Sequence, residues 1–179
     1  MAPRDLDPLA EAYSRRGLRL PAIERVEGSV IPQPYRDLLV HDRDMTPTLE
    51  AFHGEPIHLR VMSRSAPSGI LFREVVLITA ESARPVEFGA IRIRLDGFGN
   101  SPRNLILEGL IPLGTILKRQ EIPHRSDPQR YFRVEPDQVV AQALEMEGRE
   151  PLYGRHNVIS SPDGRVLAEM VEILPAWSG

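Results

Sequence analysis

The run GILFREVVLITA, residues 69–80, constrains the fold more than any other stretch. Val75, Val76, Leu77, Ile78 and Thr79 are β-branched or large and apolar, and Ser68-Gly69 and Glu81-Ser82 bound the run. That composition reads as a strand buried on both faces. At a period of two, Arg73 shares a row with Leu71, Val75 and Leu77, while Glu74 shares the other with Phe72, Val76 and Ile78. A guanidinium in an apolar row is costly unless an anion meets it. Either Arg73 reaches water near the strand end or pairs with a structural carboxylate, or the anion is a ligand. Structural ion pairs are the commoner case.

The neighbouring segments repeat the strand signal. Ile57, Leu59 and Val61 alternate with His58, Arg60 and Met62, and Val86–Leu95 follows a turn at Glu81 to Pro85. Short turns join antiparallel neighbours, so Ile57–Arg64, Gly69–Ala80 and Val86–Leu95 are predicted to form one meander. Tyr153–Ser160 and Arg165–Leu174 flank Ser161-Pro162-Asp163-Gly164, a hairpin expected in the same sheet. Arg130–Val134 reads as a short strand preceded by a polar loop from Arg119 to Gln129. Tyr35–Val40 and Asp137–Met146 read as helical, and Leu113–Leu117 as a helical turn. Thr46-Pro47 and Ser101-Pro102 each offer an N-cap followed by proline, and Gly54 offers a helix stop. Residues 1–30, rich in proline and charge, read as a peripheral arm in which Asp7-Pro8 caps a short helix carrying Leu9, Ala12 and Tyr13. Residues 31–179 then form the domain, and its class is α+β: a single antiparallel sheet with short helices between strand pairs.

At 179 residues the chain suits one domain with a substantial core. A formal charge of −3 and the lack of any Lys/Arg cluster argue against a nucleic-acid surface. No apolar run approaches the ~20 residues of a membrane span, and the N-terminus lacks the apolar segment of a signal peptide. Without cysteine, disulfides, zinc–thiolate sites and cysteine nucleophiles are excluded, which fits a cytoplasmic protein. Gly109 and Gly114 have P-loop spacing, but Thr115 stands where the phosphate-binding lysine must be. Gly97-Phe98-Gly99 lacks a third glycine, no G-x-S-x-G elbow exists, and His53 and His58 match no metal-ligand spacing. No metal and no cofactor are expected.

A second notable charge lies in the final strand. Glu172 shares a row with Val166, Ala168, Met170 and Leu174, while Glu169 shares the other with Leu167, Val171 and Ile173. Periodicity leaves open which of the two faces the core.

The order of segments resembles that of bacterial chorismate lyases. The likeness rests on Leu38-Leu39-Val40 with Asp44-Met45-Thr46 and Leu49-Glu50, and on the central Arg73-Glu74 strand. It continues through Pro112-Leu113-Gly114 with Leu117, then Tyr153-Gly154-Arg155, Val158-Ile159-Ser160 and Glu172-Ile173-Leu174-Pro175, covering about residues 35 to 175. The resemblance implies a sheet of about six antiparallel strands with helices packed on one side and a buried pocket. It also implies a cofactor-independent carbon–oxygen lyase that eliminates pyruvate from chorismate to leave a hydroxybenzoate, 4-hydroxybenzoate above all. By the same resemblance Arg73 binds the ligand carboxylate, the backbone N–H groups of Met45 and Leu113 help hold the ligand, Glu172 meets the ring hydroxyl, and Arg155 belongs to the substrate-binding set. Two departures stand out. The Glu172-to-Pro175 spacing is one residue short, which keeps Glu169 in reserve, and the family's Gly-Arg reads Gly89-Ala90, which leaves Arg92 as the replacement cation. The partner expected is a small-molecule substrate, with no nucleic acid and the oligomeric state open. The rival reading is a non-catalytic aromatic-acid-binding module, because effector domains of some bacterial transcription regulators share this fold; a lyase acting on a related enol-ether acid is a third. No helix-turn-helix pattern precedes the domain, which counts against a complete regulator.

Overall fold

The computed structural model describes residues 6–177. In chain order the elements are helix α1 (Asp7–Arg15), strand β1 (Ile23–Val26), helices α2 (Tyr35–Leu39) and α3 (Met45–His53), and strands β2 (Ile57–Ser65), β3 (Ile70–Thr79) and β4 (Pro85–Arg94). Helices α4 (Asn100–Glu108) and α5 (Leu113–Arg119) follow, then strand β5 (Arg125–Val134), helix α6 (Gln138–Ala143) and strands β6 (Leu152–Ser160) and β7 (Val166–Leu174). The strands make one sheet in the order β1-β5-β6-β7-β4-β3-β2, and every neighbouring pair is antiparallel. The class is therefore α+β with a single antiparallel sheet, and both the meander and the closing hairpin take their expected places.

β3 is buried along nearly its whole length because both of its rows meet apolar layers. Leu71 packs with Ile91, Ile93 and Met170 beneath Ile106 of α4 and Leu113, Ile116 and Leu117 of α5. Leu77 and Leu174 meet Leu38 and Leu39 of α2 and Met45 and Leu49 of α3. Helices α2–α5 thus lie on the side that carries the Arg73 row. The other row, with Phe72 and Val76, packs with Phe88, Ala90, Val171 and Ile173 against α1 and α6.

Two expectations change. The N-terminal arm is not peripheral at α1, although residues 14–30 are exposed or half-buried; residues 1–5, like 178 and 179, lie outside the described residues. Leu9, Ala12 and Tyr13 form one face of α1 and are essentially inaccessible in the reverse-face core. Tyr13 Oη donates to Asp137 Oδ1 at 2.8 Å, the same oxygen that accepts the Val140 N–H at 3.0 Å as the N-cap of α6. Beyond α1, Ile23–Val26 adds a seventh strand by pairing with β5. The second change is that β5 begins at Arg125, so half of the predicted polar loop is strand. Ser126-Asp127-Pro128 has poor strand propensity, yet pairing with Asn157, Val158 and Ile159 of β6 overrides it, with a bulge between Pro128 and Arg130. No helix among the described residues is long and apolar enough to cross a membrane.

If α1 is core, Leu9→Ala should lower unfolding stability by about 2–5 kcal/mol, read from the urea midpoint at unchanged slope. A peripheral arm would lose roughly 0.5 kcal/mol or less.

Candidate ligand-binding site

The row of β3 that contains Arg73 opens onto a cavity of about 50 Å³ between the sheet and helices α3 and α5. Its floor is Arg73, Val75 and Leu77 of β3, Glu87, Gly89 and Ile91 of β4, and Met170 and Glu172 of β7. Its roof is Asp44, Met45 and Thr46 at the start of α3 and Pro112, Leu113 and Gly114 at the start of α5. The two helix starts touch: a Cβ on Gly114 would lie 3.1 Å from Thr46 Oγ1, so glycine permits the approach. Neither helix has a side-chain cap, which leaves first-turn N–H groups unsatisfied at the cavity wall. α3 begins at Met45, two residues before the start read from Thr46-Pro47, and Asp44 is its N-cap. The Asp44 carboxylate makes no cap: its Oδ2 takes the His124 Nε2 bond at 2.8 Å and its Oδ1 is buried without a partner among the described residues, while His124 Nδ1 bonds the Ile122 carbonyl at 2.7 Å.

Arg73 is only 2% exposed. Among the described residues its Nε and Nη1 have no hydrogen-bond partner and no carboxylate pairs with it. Burial lowers its pKa to about 10, which still leaves it charged at neutral pH. Of the readings open at the sequence, the structural ion pair is not realised, and neither is escape to water. A desolvated cation with free donors faces the cavity.

The far end of the cavity is acidic. Glu172 accepts from Arg155 Nε at 2.5 Å, and Arg155 is completely buried. The rest of that guanidinium donates to backbone: Nη1 to the carbonyls of Leu39 (3.2 Å) and His41 (3.0 Å), Nη2 to that of Arg43 (3.1 Å). Arg155 therefore fastens Glu172 to the segment that leads into α3. His41 belongs to this segment; its Nε2 bonds the Leu38 carbonyl at 2.7 Å and its Nδ1 accepts the Arg43 N–H at 3.1 Å. Burial, then the Arg155 charge, hold its pKa down to about 4. Glu87 lies beside this pair, buried, with its Oε2 unpartnered among the described residues. Desolvation, then the Glu172 charge, push its carboxyl well above the usual range, with Arg155 opposing.

Of the residues expected at a site, Arg73, Met45, Leu113 and Glu172 do share one cavity. Arg155 stands behind Glu172 with its donors committed, so it positions rather than contacts a ligand. Arg92 and Glu169 are on the reverse face, which settles the parity of the last strand in favour of Glu172. Arg92 bonds Glu11 of α1 at 2.8 Å and lies 3.6 Å from Glu169, which also holds His156 at 2.9 Å. Arg92 thus cannot replace the missing cation, because its row points away from the cavity. Glu87 was missed, although it carries the same signal as Arg73: a charge in a row with Gly89, Ile91 and Ile93.

No protein-family model and no curated protein sequence matches the chain. Solved structures do. The effector domain of PhnF from Mycobacterium smegmatis superimposes with a TM-score of 0.55 at 14% identity, over 75% of this chain and 89% of that one. The crystal structure of PhnF itself gives 0.56 at 13% identity over 94% of each chain. The ligand-binding domain of a putative GntR-family transcriptional regulator from Bordetella bronchiseptica gives 0.50 at 14% identity, over 67% of this chain and 85% of that one. The fold is the chorismate lyase-like one of regulator effector domains. At these identities the likeness is one of fold alone, and it removes the main functional expectation. The neighbours are regulator domains, so the lyase reading, with chorismate as substrate and pyruvate and 4-hydroxybenzoate as products, does not stand. The reason is physical: the short motifs that carried the resemblance mark the helix starts and strand rows around the pocket, and these serve the fold whatever chemistry the pocket performs.

Two outcomes test this geometry. Arg155→Leu leaves Glu172 buried without its cation and should cost about 3–5 kcal/mol in urea unfolding, with part of the loss recovered in the Arg155→Leu/Glu172→Leu double variant. His41 has a folded pKa of about 4 against an ordinary 6.5, so the unfolded chain binds the extra proton between those values. Its contribution to stability is complete above pH 6.5 and declines as the pH falls toward 4. Thermal melts of His41→Gln should show a shallower decline over that window than the native protein.

Proposed function

We propose that this chain is a small-molecule-binding domain whose ligand presents a carboxylate to Arg73 and is held without being converted. The observation that carries the reading is the unpaired, buried guanidinium at the cavity. A desolvated cation costs several kcal/mol unless an anion meets it. The planar fork of arginine suits a carboxylate, which accepts two parallel N–H bonds from it. The uncapped starts of α3 and α5 place partial positive charge at the same wall. Between the ends, Val75, Leu77, Ile91 and Met170 suit an apolar ligand body. The fold shared with an effector domain and a regulator's ligand-binding domain supports the reading by analogy.

Calorimetry with a panel of small carboxylates, phosphates and uncharged analogues tests it. Carboxylates should bind, and Arg73→Ala should weaken them about 10- to 150-fold, the worth of a charge-assisted hydrogen bond at roughly 1.5–3 kcal/mol. Arg73→Lys should restore affinity only in part, and chromatography should return the ligand unchanged. Affinity indifferent to Arg73→Ala would overturn the reading.

A further inference from the structure

The cavity holds two unpaired ionisable groups of opposite kind, and β3 and β4 keep them apart. Arg73 sits opposite Ile91, whereas Glu87 sits opposite Leu77, four residues farther along β3. That separation is about 13 Å of strand at ~3.3 Å per residue. Val75 and Gly89 occupy the register between them. A Cβ at Gly89 would lie 3.1 Å from Glu87 Oε1 and 3.4 Å from Val75 Cγ2, so glycine keeps the floor open between the two ends.

The acidic end has two carboxyl groups, Glu87 and Glu172, and one guanidinium. Arg155 gives its donors to Glu172 and to three backbone carbonyls and makes no bond to Glu87. Full ionisation there requires one more cation, and full pairing at Arg73 requires one more anion. A hydroxyl or amide on a ligand would be read at lower desolvation cost by an asparagine or serine. A carboxyl placed beside a second carboxylate suits a positive group.

Resting on the reading of Arg73 as a carboxylate binder, we propose that the ligand is a zwitterion, with its carboxylate on Arg73 and, an apolar segment away, an ammonium group on Glu87. An α-amino acid does not fit this spacing, because its two charges are adjacent while Arg73 and Glu87 are separated by the Val75 register. An ω-amino acid does. Desolvation, then the Glu172 charge, raise the Glu87 pKa well above the usual carboxyl range against the opposing Arg155, which favours its protonated form before a ligand arrives. When the ammonium docks, the Glu87 O–H bond breaks, the electron pair stays on the carboxylate and the proton passes to solvent. The ammonium keeps its own protons. Binding therefore releases up to one proton per ligand.

The test is titration calorimetry of the whole chain at neutral pH, with 4-aminobutyrate, 5-aminovalerate and 6-aminohexanoate, and with pentanoate as the amine-free control. Each is run in two buffers of different ionisation enthalpy, so that proton release is read directly from the native protein. One amino acid should bind about tenfold or more tightly than pentanoate and release close to one proton. Glu87→Gln, which matches the shape and neutrality of the protonated group, should collapse that ratio and remove the proton release. If pentanoate binds through Arg73 as tightly as every amino acid, or if no proton is released, the zwitterion is wrong while the carboxylate reading stands. If no acid binds in an Arg73-dependent way, the carboxylate reading fails and the zwitterion falls with it.

Discussion

The site depends on Arg155. One buried guanidinium holds Glu172 of β7 and the carbonyls of Leu39, His41 and Arg43 in the segment before α3, so the floor and one side of the roof are joined through a single side chain. A salt bridge of this kind adds little net stability over an apolar pair of the same shape. Its effect is positional. With Arg155 in place, the entry to α3 is fixed over the sheet, Met45 stands at the cavity wall, and one carboxylate at the acidic end is neutralised. The neighbouring Glu87 then has no cation left to it.

The two faces of the sheet treat charge differently, and the contrast sets the cavity face apart. On the reverse face Glu74 pairs with Arg16 at 3.0 Å and accepts from Ser63, while Arg92 joins Glu11 and Glu169. Those charges knit α1 to the strands, and each has a counter-charge. On the cavity face Arg73 and Glu87 have no partners among the described residues. Adjacent residues of one strand, Arg73 and Glu74, thus belong to different regimes, the first unpartnered at the cavity and the second paired into the structure. The satisfied network makes the unsatisfied pair informative, since buried polar groups in a native fold are ordinarily bonded.

Much of this was legible in the chain. The run at residues 69–80, the closing hairpin turn and the left-handed Gly54 after α3 follow from local chemistry, and the oddity of Arg73 followed from period two alone. Three things were not legible. Leu9, Ala12 and Tyr13 have helical spacing, but nine residues between charges and prolines do not announce what they pack against. Ser126-Asp127-Pro128 is strand only because β6 lies beside it. The choice between Glu169 and Glu172 needs the register of β7 against β4, where Glu172 pairs with Gly89 and Glu169 with Arg92. Glu87 could have been found, for a carboxylate in a row with Gly89, Ile91 and Ile93 is the mirror of the Arg73 signal. The family resemblance drew attention to the position after Gly89 instead, in the row that faces α1.

The dimensions of the cavity couple binding to the helices. Its free volume of about 50 Å³ suits a few waters, against roughly 300 Å³ or more for an ordinary ligand pocket. A ligand that reaches both Arg73 and Glu87 must therefore lift the starts of α3 and α5, the only part of the enclosure not built on the sheet. Those starts are held by short-range contacts: Gly114 against Thr46, Asp44 against His124, and the Arg155 bonds to the segment before α3. Opening the site costs those contacts, and an anion on Arg73, beneath two helix starts without side-chain caps, would offset part of that cost.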